Sequence, residues 1–157
     1  MTGKFILKQT ANLELVMNEH RIASDLDNPF IVKTHHFIET EHFYVIVMEF
    51  LPGGELFELL KANKRMTETE AQFYIVETLL ALEHLHSQDI IYRDIKPENI
   101  ILDQHGHIKL TDFGLAKRVT QKSYSFCGSL DYMAPEVIDD NGYSLEVDYY
   151  SVGNLLF

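Results

Sequence analysis

Tryptophan is absent from the 157 residues, cysteine occurs once, proline four times, and 13 Lys and Arg are outnumbered by 24 Asp and Glu. The single cysteine, Cys127, excludes an internal disulfide, which fits a reducing interior such as the cytoplasm or nucleus. A redox-sensitive thiol is the sharper reading of Cys127, and an ordinary loop residue the plainer one. The formal net charge of −11 speaks against nucleic acid or an anionic membrane as main partner and would suit basic substrates. A merely soluble surface explains that charge equally well. No apolar run approaches the ~20 residues of a membrane span, and the N-terminus has no signal-peptide pattern. With 46% hydrophobic and 24% charged residues, the composition is that of one ordinary globular domain.

What is present centres on Ile90 to Gly114. Two short apolar runs, Ile100 to Leu102 and Ile108 to Leu110, flank the turn-rich Asp103-Gln104-His105-Gly106-His107, the pattern of a β-hairpin. Asp94 and Asn99 precede the hairpin and Asp112 follows it. A hairpin brings its ends together, so these three side chains should share one small volume. Crowded carboxylates repel unless a cation or proton relieves them, and Mg²⁺ prefers oxygen ligands shared with substrate phosphates. Asn99 and Asp112 therefore suit a metal, Asp94 suits a base that orients a hydroxyl, and Lys96 suits a phosphoryl group in transit.

Tyr92-Arg93-Asp94 with Asn99, then Asp112-Phe113-Gly114, then Ala134-Pro135-Glu136 follow one another in the order of the protein-kinase signature set. The chain resembles a eukaryotic-type serine/threonine protein kinase domain. Tyr92 in place of the usual histidine, with Ser125-Phe126-Cys127-Gly128, is similar to the AGC group, nearest its ribosomal S6 kinase-like branch. The resemblance implies an α+β, two-lobe fold that is incomplete: a partial β-rich N-lobe over residues 1–51 and a partial helical C-lobe over 52–157, divided at Pro52-Gly53-Gly54. It implies ATP-dependent phosphoryl transfer to serine or threonine of protein substrates, with ATP and Mg²⁺ as cofactors and an upstream activating kinase as partner. Lys96-Pro97-Glu98 matches the serine/threonine class.

Carried over residue by residue, Asp94 and Lys96 are the catalytic pair, and Asn99 and Asp112 hold metal. Lys8 is the strand lysine that contacts ATP phosphates, and Glu19 is its partner on the Leu13 to Leu26 helix. Met48 is the gatekeeper, Glu49 to Leu51 the hinge, and Ile101 lies with them in the nucleotide site. Glu55 and Glu98 hold a substrate arginine upstream of the phosphorylated residue, although Glu55 also suits a helix start on dipole grounds alone. Ser125 is the activation-loop phosphosite, with Arg93 and Lys117 receiving its phosphate.

Several features depart from the pattern. The interval from Lys8 to Glu19 is short, Ile6 stands where a smaller residue packs on adenine, and nothing ahead of residue 1 resembles the Gly-rich loop. Ala23 and Thr34 replace bulky apolar residues. These support an alternative function, a catalytically impaired kinase-like regulatory or scaffold module. The apolar Val152 to Phe157 at the other end leads to the expectation that the chain alone is poorly soluble. Elsewhere, Asn28 to Val32 and Tyr44 to Phe50 read as strands. Thr67 to Glu70 reads as a capping box opening a long helix whose Phe73, Val76, Leu79, Leu80, Leu82 and Leu85 form a core stripe. The pairs His84/His86 and His105/His107 read as packing or surface residues, since no further ligands stand at zinc spacing.

Overall fold

The computed structural model describes residues 1–139 and 141–156, so Phe157 of the terminal apolar run lies outside the described residues. Strand β1 (Thr2–Leu7) and strand β2 (Thr34–Glu39) both pair antiparallel with β3 (Phe43–Met48), giving the order β1-β3-β2. Helix α1 (Leu13–Asp25) lies between β1 and β2 in sequence. Asn12 starts it by accepting the backbone N–H groups of Glu14 and Leu15, two of the donors a helix start leaves unpaired. Val16, Glu19, Ile22 and Ala23 are its buried residues, at the three- and four-residue spacing that puts one face inward. The inclusion of a glutamate in that buried set calls for a cation nearby.

The strand expected at Asn28 to Val32 is a turn followed by a single parallel bridge, Ile31 to Leu110. Asn28 Oδ1 accepts the Phe30 N–H, and Pro29 has no N–H to give a ladder. The β2 strand forms further on, at Thr34–Glu39. The displaced segment has another use: Val32 N–H donates to Leu110 O and Leu110 N–H to Phe30 O, at 2.9 and 2.8 Å, which ties the first sheet's approach to the second.

Beyond β4 (Gly54–Glu55) and α2 (Leu56–Asn63), the long α3 (Glu68–His86) opens with the expected capping box at Thr67 and Glu70. Then come β5 (Ile90–Ile91), β6 (Ile100–Leu102), β7 (Ile108–Leu110) and β8 (Lys117–Arg118). The short helix α4 (Pro135–Ile138) and α5 (Glu146–Leu155) complete the chain. Strands β4, β6 and β7 form a second small sheet, in which Ile100 faces Leu110 and Leu102 faces Ile108 across the expected hairpin. Its turn is tied by Asp103 Oδ1, which accepts from His105 N and His107 N, and Gly106 takes φ 86° there.

Leu82, Leu85, Ile90, Tyr92, Ile95, Ile100, Ile108, Leu110 and Phe113 are all at most 1% exposed and form the centre of the main core. At ~1.5–3 kcal/mol for each large apolar side chain buried, this cluster is what holds the hairpin and the preceding loop in fixed relation. The α3 stripe is core only in part. Leu82 and Leu85 are buried together with Glu77, Thr78 and Ala81, whereas Phe73, Val76 and Leu80 are 42–53% exposed. Apolar residues occur on more than one face of α3, and among the described residues the covered face is the one toward β5, β7 and α5.

Candidate active site

A lysine on β1 meets the buried glutamate of α1, and it is Lys4. Its Nζ donates to Glu19 Oε1 at 2.7 Å and to Asp112 Oδ1 at 2.9 Å. This corrects the expectation for Lys8, whose ammonium lies 2.5 Å from Glu39 Oε1 and over the Tyr44 ring. The two lysines are four residues apart, about 13 Å along a strand. Only Lys4 lies within the strand, opposite Ile46, while Lys8 follows its end. Ile6 correspondingly does not line the cleft, and Thr2, two residues before Lys4, does. Burial would lower the Lys4 pKa, but Glu19 and Asp112 hold it above the usual lysine value. Burial pushes the Glu19 carboxyl up, and would do the same to Asp112 had the Lys4 ammonium and the Gly114 N–H not held it down.

Asp94, 9% exposed, is oriented by three groups. Asn99 Nδ2 donates to its Oδ2 at 2.7 Å and to its carbonyl at 2.9 Å, Lys96 Nζ lies 2.8 Å from Oδ2, and Ser129 Oγ donates to Oδ1 at 3.0 Å. Lys96 also donates to Ser129 Oγ at 3.1 Å, so the hydroxyl links both catalytic-loop residues. Sequence reasoning missed Ser129, because its partner is 35 residues away and no local pattern marks it.

The loop carrying Asp94 is fixed from beneath by Asp148 of α5, which has no exposed surface. Its Oδ2 accepts Tyr92 N–H at 2.9 Å and its Oδ1 accepts Arg93 N–H at 2.8 Å, with His86 Nε2 2.8 Å from Oδ2. His86 is thus a packing histidine, as expected, and His107 pairs with Glu77. These bonds hold Arg93 at φ 69°, while Lys4 and Gly114 hold Asp112 at φ 54°. Such left-handed conformations cost a non-glycine residue roughly 1–3 kcal/mol and persist where neighbours over-determine them. The Tyr92 hydroxyl donates to Thr111 O, joining the loop to the residue before Asp112, and burial raises its pKa well above the usual phenol value.

Thr2, Lys4, Val32, Met48, Leu51, Ile101 and Thr111 line one cleft of about 440 Å³ together with Glu49, Glu55, Glu98, Asn99 and Asp112. All the residues expected to contact nucleotide, except Lys8 and the more deeply set Glu19, therefore reach the same space. Exposed Glu55 and Glu98 lie along it too. Glu49 is also tethered: its Oε1 accepts Lys33 N–H at 2.7 Å and lies 2.8 Å from Lys109 Nζ, which fastens the hinge to β7.

The oxygens of the cleft fit a hard cation. Among the described residues, no hydrogen bond uses Asn99 Oδ1 or Asp112 Oδ2, since Asn99 works through Nδ2 and Asp112 through Oδ1. Two oxygen donors on one cleft wall are the right chemistry for Mg²⁺, which takes few protein ligands and completes its octahedron with phosphate and water.

Ser125 is exposed, and its carbonyl rather than its hydroxyl is anchored, to the Tyr143 phenol that also meets Arg93. Lys117 Nζ reaches Ser123 Oγ at 3.4 Å. Gly128 crosses directly over the catalytic loop at φ 112°, where a β-carbon would be 2.7 Å from Arg93 O. A side chain there would lift the segment off the loop.

An ion-paired strand lysine, an oriented aspartate and free oxygen donors around a common cleft define the class of site used for metal-assisted phosphoryl transfer. Residues 2–157 match the protein kinase domain family, and the chain belongs to it. Over 142 residues, 88% of its length, it is 49% identical to ribosomal protein S6 kinase alpha-1 of Homo sapiens and to ribosomal protein S6 kinase 2 alpha of Gallus gallus. Over the same length it is 48% identical to ribosomal protein S6 kinase alpha-2 of Mus musculus. The chain spans only 19% of each of those relatives. By resemblance it is of the serine/threonine kind and similar to the S6 kinases of the AGC group, and the family generally uses ATP and Mg²⁺.

Proposed function

We propose that the protein transfers the γ-phosphoryl group of ATP to serine or threonine of proteins carrying basic residues upstream of the acceptor. The observation that carries this reading is the environment of Asp94. Its carboxylate is buried and fixed by Asn99, Lys96 and Ser129, as a group that must accept a hydroxyl proton in one geometry requires. In this reading Asp94 orients the acceptor hydroxyl and receives its proton. Lys96 stays beside it and offers positive charge to the group in transit. Lys4, held in place by Glu19, presents its ammonium to the nucleotide phosphates, a role that passes to it from Lys8. Met48, Leu51 and Ile101 give the adenine an apolar slot, and the Glu49 to Leu51 backbone gives it donors and acceptors. Asn99 and Asp112 hold Mg²⁺, which when bound neutralises phosphate charge. Glu55 and Glu98 provide carboxylates for a substrate arginine, and the lobes divide after Leu51.

The reading as an impaired scaffold loses two supports, the short lysine–glutamate interval and Ile6, because both assumed Lys8. Titration of ATP with and without Mg²⁺ tests the roles. Asp112→Asn is expected to weaken Mg·ATP binding at least tenfold, while Asp94→Asn leaves binding within about twofold and abolishes transfer. Equal binding losses in the two variants would refute the assignment.

A further inference from the structure

Tyr143 has no part in the functions assigned so far, yet it sits where the activation segment meets the catalytic loop. It is 1% exposed and packs with Ile91, Val119, Met133, Val137 and Val147 in the second, smaller core. Its hydroxyl donates to Ser125 O at 2.5 Å, accepts from Arg93 Nη1 at 3.2 Å and lies 3.9 Å from Cys127 Sγ. Its backbone N–H and C=O both pair with those of Ser123, at 2.9 and 2.8 Å. The residues on either side of Tyr124 are therefore both fastened to Tyr143, one through backbone and one through the phenol.

We propose that Tyr143 is a positioning residue that clamps the activation segment onto the catalytic loop before any phosphate is present, with its hydroxyl as the working group. A hydroxyl has one hydrogen and two lone pairs. Here the hydrogen goes to Ser125 and a lone pair to Arg93, the residue directly before Asp94. Arg93 is otherwise fixed at both ends, its N–H on Asp148 and its Nε on Leu115 O at 2.7 Å. The phenol therefore sets the outer corner of the guanidinium and with it the height at which the segment crosses the loop. The clamp takes the Ser125 carbonyl and leaves the Ser125 side chain exposed, with no hydrogen bond to it among the described residues. The segment is thus held while its hydroxyl stays available for modification. This deepens the reading of Ser125 as the phosphosite and rests on it only for the last consequence. Phosphate at Ser125 offers Arg93 a stronger partner than the phenol, so the modified protein should need Tyr143 less.

The test is Tyr143→Phe, which keeps the ring and removes the hydroxyl. In the unphosphorylated protein, tryptic cleavage after Lys122 is expected to accelerate about tenfold, the scale of an unpaired buried hydrogen-bond group. The KM for a peptide should rise by a similar factor while the KM for ATP stays near wild type. Phosphorylation should restore the peptide KM to within about threefold. Cleavage and peptide KM equal to wild type would overturn the clamp. If both change in Tyr143→Phe while Ser125→Ala and wild type respond alike to the upstream kinase, the clamp stands and the phosphosite reading falls. Should Tyr143→Phe fail to fold, proton exchange of the wild-type hydroxyl decides: a Tyr143 hydroxyl proton that exchanges much more slowly than that of exposed Tyr124 supports the clamp, and equal exchange refutes it.

Discussion

Replacing Lys4 by methionine separates the two candidate lysines by energy. Met keeps most of the aliphatic stem and removes the ammonium, leaving Glu19 with an 8% exposed side chain and no cation. Removing one partner of a fully buried pair costs ~3–5 kcal/mol. The Lys4 side chain is 32% exposed, so water reaches the pair and the loss on the Glu19 leg should be about 2–3 kcal/mol. The Asp112 leg is 47% exposed at its acidic end and adds at most ~1 kcal/mol. Lys8→Met breaks only the pair with Glu39, 61% exposed, and a cation–π contact, together about 1 kcal/mol. Urea unfolding should therefore show Lys4→Met destabilised by roughly 2–4 kcal/mol and Lys8→Met by about 1, with Mg·ATP binding lost in the first and kept in the second. The sign with pH follows from the raised Lys4 pKa: the stabilisation is complete below the ordinary lysine value of 10.5 and fades as pH rises through the higher folded value. Destabilisation by Lys8→Met equal to or greater than that by Lys4→Met would refute the reasoning.

Asp148→Ala strips three hydrogen bonds from a carboxylate site with no exposure, and should lower the unfolding free energy by about 3–5 kcal/mol; a loss under ~1 kcal/mol in urea titration contradicts the anchoring role. The hydrogen bond and charge of Glu77 raise the His107 pKa above 6.5. The stabilisation is thus present below that value and lost as pH rises through the folded one, so wild type should lose more stability than His107→Asn between about pH 6 and 8. Peptide arrays should show arginine two or three residues before the acceptor favoured several-fold, since exposed carboxylates at Glu55 and Glu98 contribute ~1 kcal/mol or less each; a flat basic preference refutes their role.

The chemistry of the chain was legible because its groups are close in sequence. Asp94, Lys96 and Asn99 lie within six residues, and the Ile100 to Leu110 hairpin that carries them toward Asp112 is written by alternating apolar runs around a turn. The capping box at Thr67 and the Leu13 helix follow from local hydrogen bonding and a 3.6-residue period in the same way. Local signals fail where partners are remote. Whether Lys4 or Lys8 meets Glu19 depends on where β1 ends against β3, and strand alternation cannot separate residues four apart. Asn28 to Val32 has the composition of a strand but pairs once, with Leu110, because Pro29 and the Asn28 side chain turn it away from β3. The roles of Ser129, Asp148 and Tyr143 have no local signature at all. A serine, an aspartate or a tyrosine reads the same in sequence whether it ends exposed or buried, and only packing against Asp94, the Tyr92–Arg93 backbone and Ser125 gives each one its partner.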